Sequence, residues 1–449
     1  MSQRLPLPAA QHPIAARFLA DSAAVGEAIE RFGSPLHVLF PQVIAENAAA
    51  LAGVLRRHGV PYDIFYAHKV NASVAFLAEA HAAGLGADVA SAAELDRALA
   101  AGFAPDRIEA TGPKSPAFIE RIAELGVTAN ADDLWELDRL AAAAPAGGAV
   151  QVLLRLSGFA SPAVPQTRFG IDLADADAAL ETVRRAPGLH LRGVAFHLDT
   201  ADPAARVDAL TESMAVVAAA HRKGLRPSVI DIGGGFRQRF VDDPEPFQRY
   251  SRTLAAAAPG DLVWPGHDPG ISHKYSNHRP TTEVLERFLA AEIERRPVAE
   301  VLRECMLTLW IEPGKALVDH AGITLASVLY RKRAAGRDLV VLDLSRNQVT
   351  PADQEVLLDP VLVDGRGEPP AEGVFLAGRL CLESDLVSRR KVFLESEPSS
   401  GDVLAFVNTA AYQMDLSASS AGGHPPPPKV AAVLEGGRFA FVADDHHGS

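Results

Sequence analysis

Between residues 60 and 312, runs that read as buried strands alternate regularly with runs that read as helices. The strand-like runs centre on Ile64-Phe65-Tyr66, Ala87-Asp88-Val89, Arg107-Ile108-Glu109-Ala110, Val127-Thr128-Ala129 and Val150-Gln151-Val152-Leu153-Leu154. They continue with Gly193-Val194-Ala195-Phe196, Val229-Ile230-Asp231-Ile232 and Leu307-Thr308-Leu309-Trp310-Ile311. Helical patterns at 74–83, 92–101, 116–125 and 133–142 lie between the earlier ones. A helix between two strands carries the chain back to the same edge and imposes parallel pairing. Eight such units fit a closed (β/α)8 barrel. The alternation alone fits an open doubly wound sheet as well.

The flanks differ in texture. A helix is predicted over 22–31, followed by a short strand, Leu36-His37-Val38-Leu39-Phe40. Beyond residue 320, short strand-like runs at 323–329, 338–344, 373–377, 402–407 and 430–434 are punctuated by Gly and Pro, as in an all-β domain. The proline-rich stretch at 422–428 reads as a loop. The expected division is an N-terminal segment at 1–35 packing on the C-terminal domain, a barrel at 36–318 and a β domain at 319–449. One βα connection is too long, which marks an insertion at about 236–306, a place where barrels often carry a lid or specificity element. Its histidines show no metal-ligand spacing, and no metal is expected.

With 449 residues, 48% of them hydrophobic, the chain can build two large cores. A net charge of -13 argues against nucleic acid as a partner but allows a local basic pocket. The N-terminus shows no apolar signal region, and no run is long enough to span a bilayer. Two cysteines, Cys305 and Cys381, make no disulfide framework, so a cytoplasmic location is expected.

Chemistry is suggested at the strand ends. The first strand runs into Lys69, within Tyr66-Ala67-His68-Lys69-Val70-Asn71. A lysine at the end of an apolar strand is costly unless its charge is paired, lost or used, and desolvation frees the amine as a nucleophile. Snorkelling to the surface is the bland alternative. Asp231-Ile232-Gly233-Gly234-Gly235-Phe236 ends the seventh strand and Glu312-Pro313-Gly314-Lys315 the eighth. Glycine turns after strands seven and eight point to a phosphorylated cofactor. Glu312 is placed to hold a pyridine nitrogen protonated. His197 ends the sixth strand, where it can stack on an aromatic cofactor or serve as a core histidine. Arg155 ends the fifth and can hold an anion by its fork. Asp88, Ser91 and Glu94 follow the second strand, and Ser91 with Glu94 fits a helix cap.

With these motifs in order over residues 36–415, the chain resembles the fold type III (alanine racemase-fold) PLP-dependent decarboxylases, the group of diaminopimelate and ornithine decarboxylases. Gly86-Ala87-Asp88-Val89-Ala90-Ser91, Arg168-Phe169-Gly170-Ile171, Cys381 to Asp385 and Ala411-Tyr412 complete the match. The resemblance implies a PLP-binding TIM barrel, a C-terminal β-sandwich or Greek-key-like domain, and a homodimer with shared active sites acting on a small amino acid. It implies that Lys69 forms the internal aldimine, that His197 stacks on the ring, and that Glu312 meets its nitrogen. The implied cofactor set is Lys69, Asp88, Arg155, His197, Thr200, Gly234, Gly235, Glu312, Gly314, Lys315 and Tyr412. Cys381, from the second subunit, is the implied proton donor, with Lys315, Glu383, Asp385 and Tyr412 toward substrate.

Four features depart from the family pattern, one of them an Arg-Pro-x-Leu-Tyr-like segment that is not recognisable where Ser345 to Val356 stand. Leu382 stands where an acid is usual directly after the cysteine, Lys315 stands for an arginine, and Asp199-Thr200 stands for Gly-Ser. PLP chemistry is expected to persist with a divergent substrate. An amino acid racemase or epimerase and a non-catalytic PLP-binding homologue are the alternatives.

Overall fold

In a computed structural model describing residues 4–258, 260–267, 273–350, 358–365, 367–370 and 372–446, eight parallel strands form a ring. They are β1 (Tyr62–Ala67), β2 (Gly86–Val89), β3 (Ile108–Ala110), β4 (Thr128–Ala131), β5 (Val150–Ser157), β6 (Leu189–Ala195), β7 (Val229–Asp231) and β8 (Thr308–Ile311). The ladder between β4 and β5 and the one between β1 and β8 close it, which excludes the open sheet. The expected barrel stands.

Side chains alternate across each strand, so each strand has an inner and an outer row. Ile64 and Tyr66 of β1 join the large core that also takes in the surrounding helices. Phe65 meets Leu153, Ala195, Val229 and Trp310, from four other strands, inside the ring. Trp310 is 1% exposed, and its truncation to alanine would cost about 3–5 kcal/mol. Two residues further along the same inner rows, the character changes from apolar to ionisable, at the ends where the strands open into the loops of the site.

Those loops are short because the helices start at once. Ser73, Ser91, Ser115 and Asp133 each accept a backbone amide of the following helix through the side chain. Each such cap is worth about 1 kcal/mol. Glu94 also accepts the amide of Ala90, the residue before the Ser91 cap, at 2.7 Å.

The second unit is β9 (Gly322–Ala334), β10 (Arg337–Leu342), β11 (Val374–Ala377), β12 (Leu386–Val392), β13 (Val403–Phe406), β14 (Lys429–Glu435) and β15 (Arg438–Ala443). With Leu36–Leu39 and Val361–Leu362 they make one connected sheet of nine strands. The all-β domain is as expected, but its strands join through the long β9, with a bulge between Val328 and Tyr330, and not as two unlinked sheets. A boundary at residue 36 would put Leu36–Leu39 with the barrel. In the structure this strand pairs with β9 and β14, because all four residues are buried, as in a central strand. Phe18 of the N-terminal helix Pro13–Ala20 packs edge-on against Phe439 and Phe441 of β15.

The long connection is in part ordinary. Helix Thr281–Ala290 buries Leu285, Phe288 and Leu289 in the barrel's outer core. The segment before it is no free lid. Phe240, Phe247, Tyr250 and Leu262 share one apolar cluster with Leu5, Leu358 and Phe393. The Trp264 amide donates to the Arg389 carbonyl at 2.7 Å. Pro259 and residues 268–272 of this insertion lie outside the described residues. Among the described residues, no helix is long and apolar enough to cross a membrane.

Candidate active site

At the loop end of the barrel a cavity of about 770 Å³ is lined by Lys69, Arg155, His197, Gly235, Glu312, Gly314, Lys315 and Tyr412, among others. Eight of the residues picked out from sequence thus share one wall. Lys69 sits on a single 3-10 turn, His68–Val70, directly after β1. Its Nζ lies 2.9 Å from Asp88 Oδ2, and the Thr111 hydroxyl donates to Asp88 Oδ1 at 2.5 Å. Asp88 lies within β2, under the lysine, and caps nothing. Burial alone would lower the Lys69 amine, as the sequence suggested. The Asp88 and Glu312 carboxylates more than offset it and raise the amine above an ordinary lysine. The lysine therefore stands as a paired cation facing the cavity.

Glu312 follows β8 and is 3% exposed. Burial pushes its pKa up, but the His197 ring, the Lys69 charge and the Asp231 side chain hold it down at about 2. His197 Nδ1 lies 3.4 Å from Glu312 Oε2 and 3.2 Å from the Gly234 amide nitrogen, so a proton there serves Glu312 and a lone pair there serves Gly234. Burial lowers His197, with Glu312 opposing, so the ring is neutral near neutral pH.

The first glycine turn is packed too tightly for side chains, and the second is crowded. A Cβ on Gly234 would stand 2.3 Å from the Glu312 carbonyl oxygen. On Gly235, at φ +72, it would stand 1.9 Å from that of Leu198. On Gly314 it would press on Val70 and Ala67 at 3.1 and 3.2 Å. The two turns and the Lys69 turn are thus in direct contact. Tyr412 donates its amide to the Val70 carbonyl at 2.8 Å and takes φ 65, a backbone form costly for a tyrosine. Asn71 fixes this junction: its Nδ2 donates to the Ala410 carbonyl at 2.8 Å, while Lys429 Nζ donates to its Oδ1 at 2.8 Å.

Lys315 Nζ lies 2.6 Å from Asp199 Oδ1, and Arg155 Nη1 lies 3.7 Å from Asp132 Oδ1 with its guanidinium over Phe169. Thr200 is not on the cavity wall; its hydroxyl accepts the Asp202 amide at 3.0 Å at the start of helix Pro203–Arg222. Cys381 and Glu383 are exposed on a loop of the β domain, and neither reaches this cavity within one chain. Asp385, on the same loop, does not reach this cavity within one chain either. Its Oδ1 accepts the Arg346 amide and its Oδ2 the Leu380 amide, both at 2.8 Å, so it shapes the loop that carries Cys381.

Sequence reading missed Arg206. It is 0% exposed and donates to the carbonyls of Ile232, Leu198, Thr200 and Gly234 at 3.1, 3.0, 3.2 and 2.7 Å. Its guanidinium lies over the Phe236 ring. It turns those carbonyls away from the cavity and pins the loops after β6 and β7 together. An arginine three residues into a helix carries no sequence signal for that. Glu109 of β3, Asn130 of β4 and Asp231 of β7 were missed as well.

A lysine-bearing barrel with two glycine turns, a buried ionised glutamate and an attached β domain defines a pyridoxal-phosphate enzyme of fold type III. The comparisons agree. The family described as "Pyridoxal-dependent decarboxylase, pyridoxal binding domain" matches residues 43–264. A Sinorhizobium fredii protein described as "Uncharacterized protein y4yA" is 35% identical over 86% of this chain and 85% of its own. Diaminopimelate decarboxylase of Pseudomonas aeruginosa is 26% identical over 90% of this chain and 89% of its own. The crystal structure of diaminopimelate decarboxylase from M. jannaschii, in complex with L-lysine, superposes with a TM-score of 0.72 at 21% identity, covering 93% of this chain and 91% of that one. The chain belongs to the fold type III PLP-dependent decarboxylases, which are carboxy-lyases whose cofactor is pyridoxal 5'-phosphate. The residues present fit that cofactor: a turn with no room for a Cβ at Gly234 and Gly235, a crowded one at Gly314, a cavity-facing amine and a buried carboxylate.

Proposed function

We propose that this protein removes the α-carboxylate of an amino acid as CO2, with Lys69 as the residue that joins the cofactor's aldehyde carbon. The observation that carries this reading is the cavity-facing Lys69 amine, paired with Asp88 and flanked by ionised Glu312. When bound, the cofactor supplies an electron sink through its protonated pyridine ring. Glu312 is the anion that keeps that nitrogen protonated. His197, beside Glu312 and the Gly234 amide, would cover one ring face. The amides of Gly235 and Gly314, with the Tyr412 hydroxyl, would hold the phosphate, and Arg206 keeps the intervening carbonyls turned away. Asp88 holds the lysine amine in place and takes up its charge when it moves.

The proton returned to the α-carbon comes from Cys381 of the partner subunit, in a homodimer with shared sites. An exposed thiol on a polar loop outside its own cavity supports this reading. Two exposed free thiols also suit a reducing cytoplasm. Arg168 and Arg237 line the cavity and form no ion pair among the described residues. They favour a substrate whose side chain carries an anion.

The test is the absorbance of the purified protein with cofactor, and CO2 release over a panel of L-amino acids. Wild type is expected to show the band of lysine-bound cofactor and to release CO2 from at least one acid. The same band in Lys69→Ala, or inversion of configuration without CO2, would refute the proposal.

A further inference from the structure

Alternation along three strands aims three acids at one point inside the barrel. Glu109 of β3, Asp231 of β7 and Glu312 after β8 place carboxylate oxygens all within 4.8 Å of one another. Glu109 and Asp231 are 0% exposed and Glu312 is 3% exposed. The donors nearby are few. Asn130 Nδ2 donates to Glu109 Oε1 at 2.8 Å, and the Gly233 amide donates to Asp231 Oδ1 at 2.7 Å. Glu109 Oε2 and Asp231 Oδ2 meet no donor among the described residues.

The cations around the trio are engaged elsewhere. Lys69 is held by Asp88, Arg155 faces Asp132, and Arg192 donates to the Thr128 hydroxyl with its guanidinium over Trp310. The one ring on this side, His197, contacts Glu312 alone of the three. Asp88 adds a fourth acid from β2, already matched by Lys69. An ionised carboxylate only accepts hydrogen bonds; a protonated one donates. Two buried acceptors side by side without a donor therefore require protons of their own.

We infer that Glu109 and Asp231 are neutral carboxylic acids that donate in line, Glu109 to Asp231 and Asp231 to Glu312, so that the trio carries one negative charge, on Glu312. Burial raises Glu109 and Asp231 well above the usual carboxylate range, while the His197 and Asp231 contacts hold Glu312 down. Glu109 and Asp231 are positioning residues. They keep the charge at the cavity end of the line and deny Glu312 the proton that would neutralise it.

The experiment counts protons and needs no turnover, so it stands or falls apart from the decarboxylase reading. Infrared spectra of wild type, Glu109→Gln and Asp231→Asn are recorded near neutral pH, with and without cofactor. Each substitution is expected to remove one protonated-acid carbonyl band that shifts in D2O and to leave the ionised-carboxylate bands unchanged. Loss of an ionised-carboxylate band in both variants would overturn the inference. So would a stoichiometric divalent cation in wild type that is absent from Glu109→Gln. Should the variants not fold, wild type labelled with 13C at Asp and Glu carboxyls answers the same question. Two resonances should keep protonated shifts through neutral pH, and their absence counts against the line.

Discussion

Lys315 Nζ and Asp199 Oδ1 meet at 2.6 Å across the cavity mouth. These are two of the positions where the sequence departs from the family pattern, and they form one ion pair. The Asp199 side chain is 70% exposed, so the pair adds little stability. Asp199→Ala is expected to shift the urea-unfolding free energy by less than about 1 kcal/mol. Its effect should fall on KM more than on kcat, because it frees the Lys315 charge toward the substrate. Equal loss of kcat and kcat/KM would contradict this.

The Lys69–Asp88 pair predicts an unusual pH response. Only the neutral amine attacks an aldehyde, and Asp88 keeps Lys69 charged. Asp88→Asn removes the carboxylate, lowers the lysine pKa and enlarges the neutral fraction at pH 7. The initial rate of cofactor loading, followed by absorbance, should rise and reach its plateau at lower pH than in wild type.

Arg206 serves four carbonyl oxygens at once. Arg206→Met leaves them buried without a donor and is expected to destabilise the protein by about 3 kcal/mol or more. Arg206→Lys should recover part of that. Cofactor affinity, measured by fluorescence quenching, should fall in the order wild type, lysine, methionine.

Two buried histidines set acid sensitivity. Burial and the Lys429 charge lower His37 to about 3, and burial and Arg97 lower His68 to about 4. Both are neutral in the folded protein, whereas the unfolded chain takes up their protons below about pH 6.5. The unfolded state then binds more protons, so stability falls as pH drops from about 6.5 toward 4. Urea midpoints across that window should drop by an amount worth a few kcal/mol, since lowering a pKa by one pH unit corresponds to about 1.4 kcal/mol. His37→Gln should flatten the curve.

Shared sites predict complementation. Lys69→Ala and Cys381→Ala, each inactive alone, should on subunit exchange regain about a quarter of wild-type CO2 release, since half the dimers are mixed and each has one intact site. No recovery despite exchange, followed by native mass spectrometry, would place Cys381 outside the site.

Much of the barrel was legible because its signals are local. Period, length and strand-end chemistry all lie within a dozen residues, and Lys69, His197, Glu312 and the glycine turns stand at strand ends, where barrels place their sites. What escaped depends on distance in space. Leu36–Leu39 falls inside the barrel's expected bounds by its place in the chain, yet its partners lie near residues 324 and 430. Arg206 acts through carbonyls that no sequence pattern marks. Glu109 and Asp231 did carry a signal, since each shares an inner row with a neighbour two residues away. An acid in an apolar strand was there to be asked about. The two backbone amides that Asp385 accepts, which shape the loop of Cys381, are likewise invisible in the sequence.

Leu36–Leu39 lies between β9 and β14, so the barrel is spliced into the β domain and does not merely precede it. On the ribosome this strand emerges early and waits through the whole ring for either neighbour. A cut anywhere between the two units strands it from its sheet, and expressing the barrel from residue 40 onward would leave the companion domain with a missing central rung.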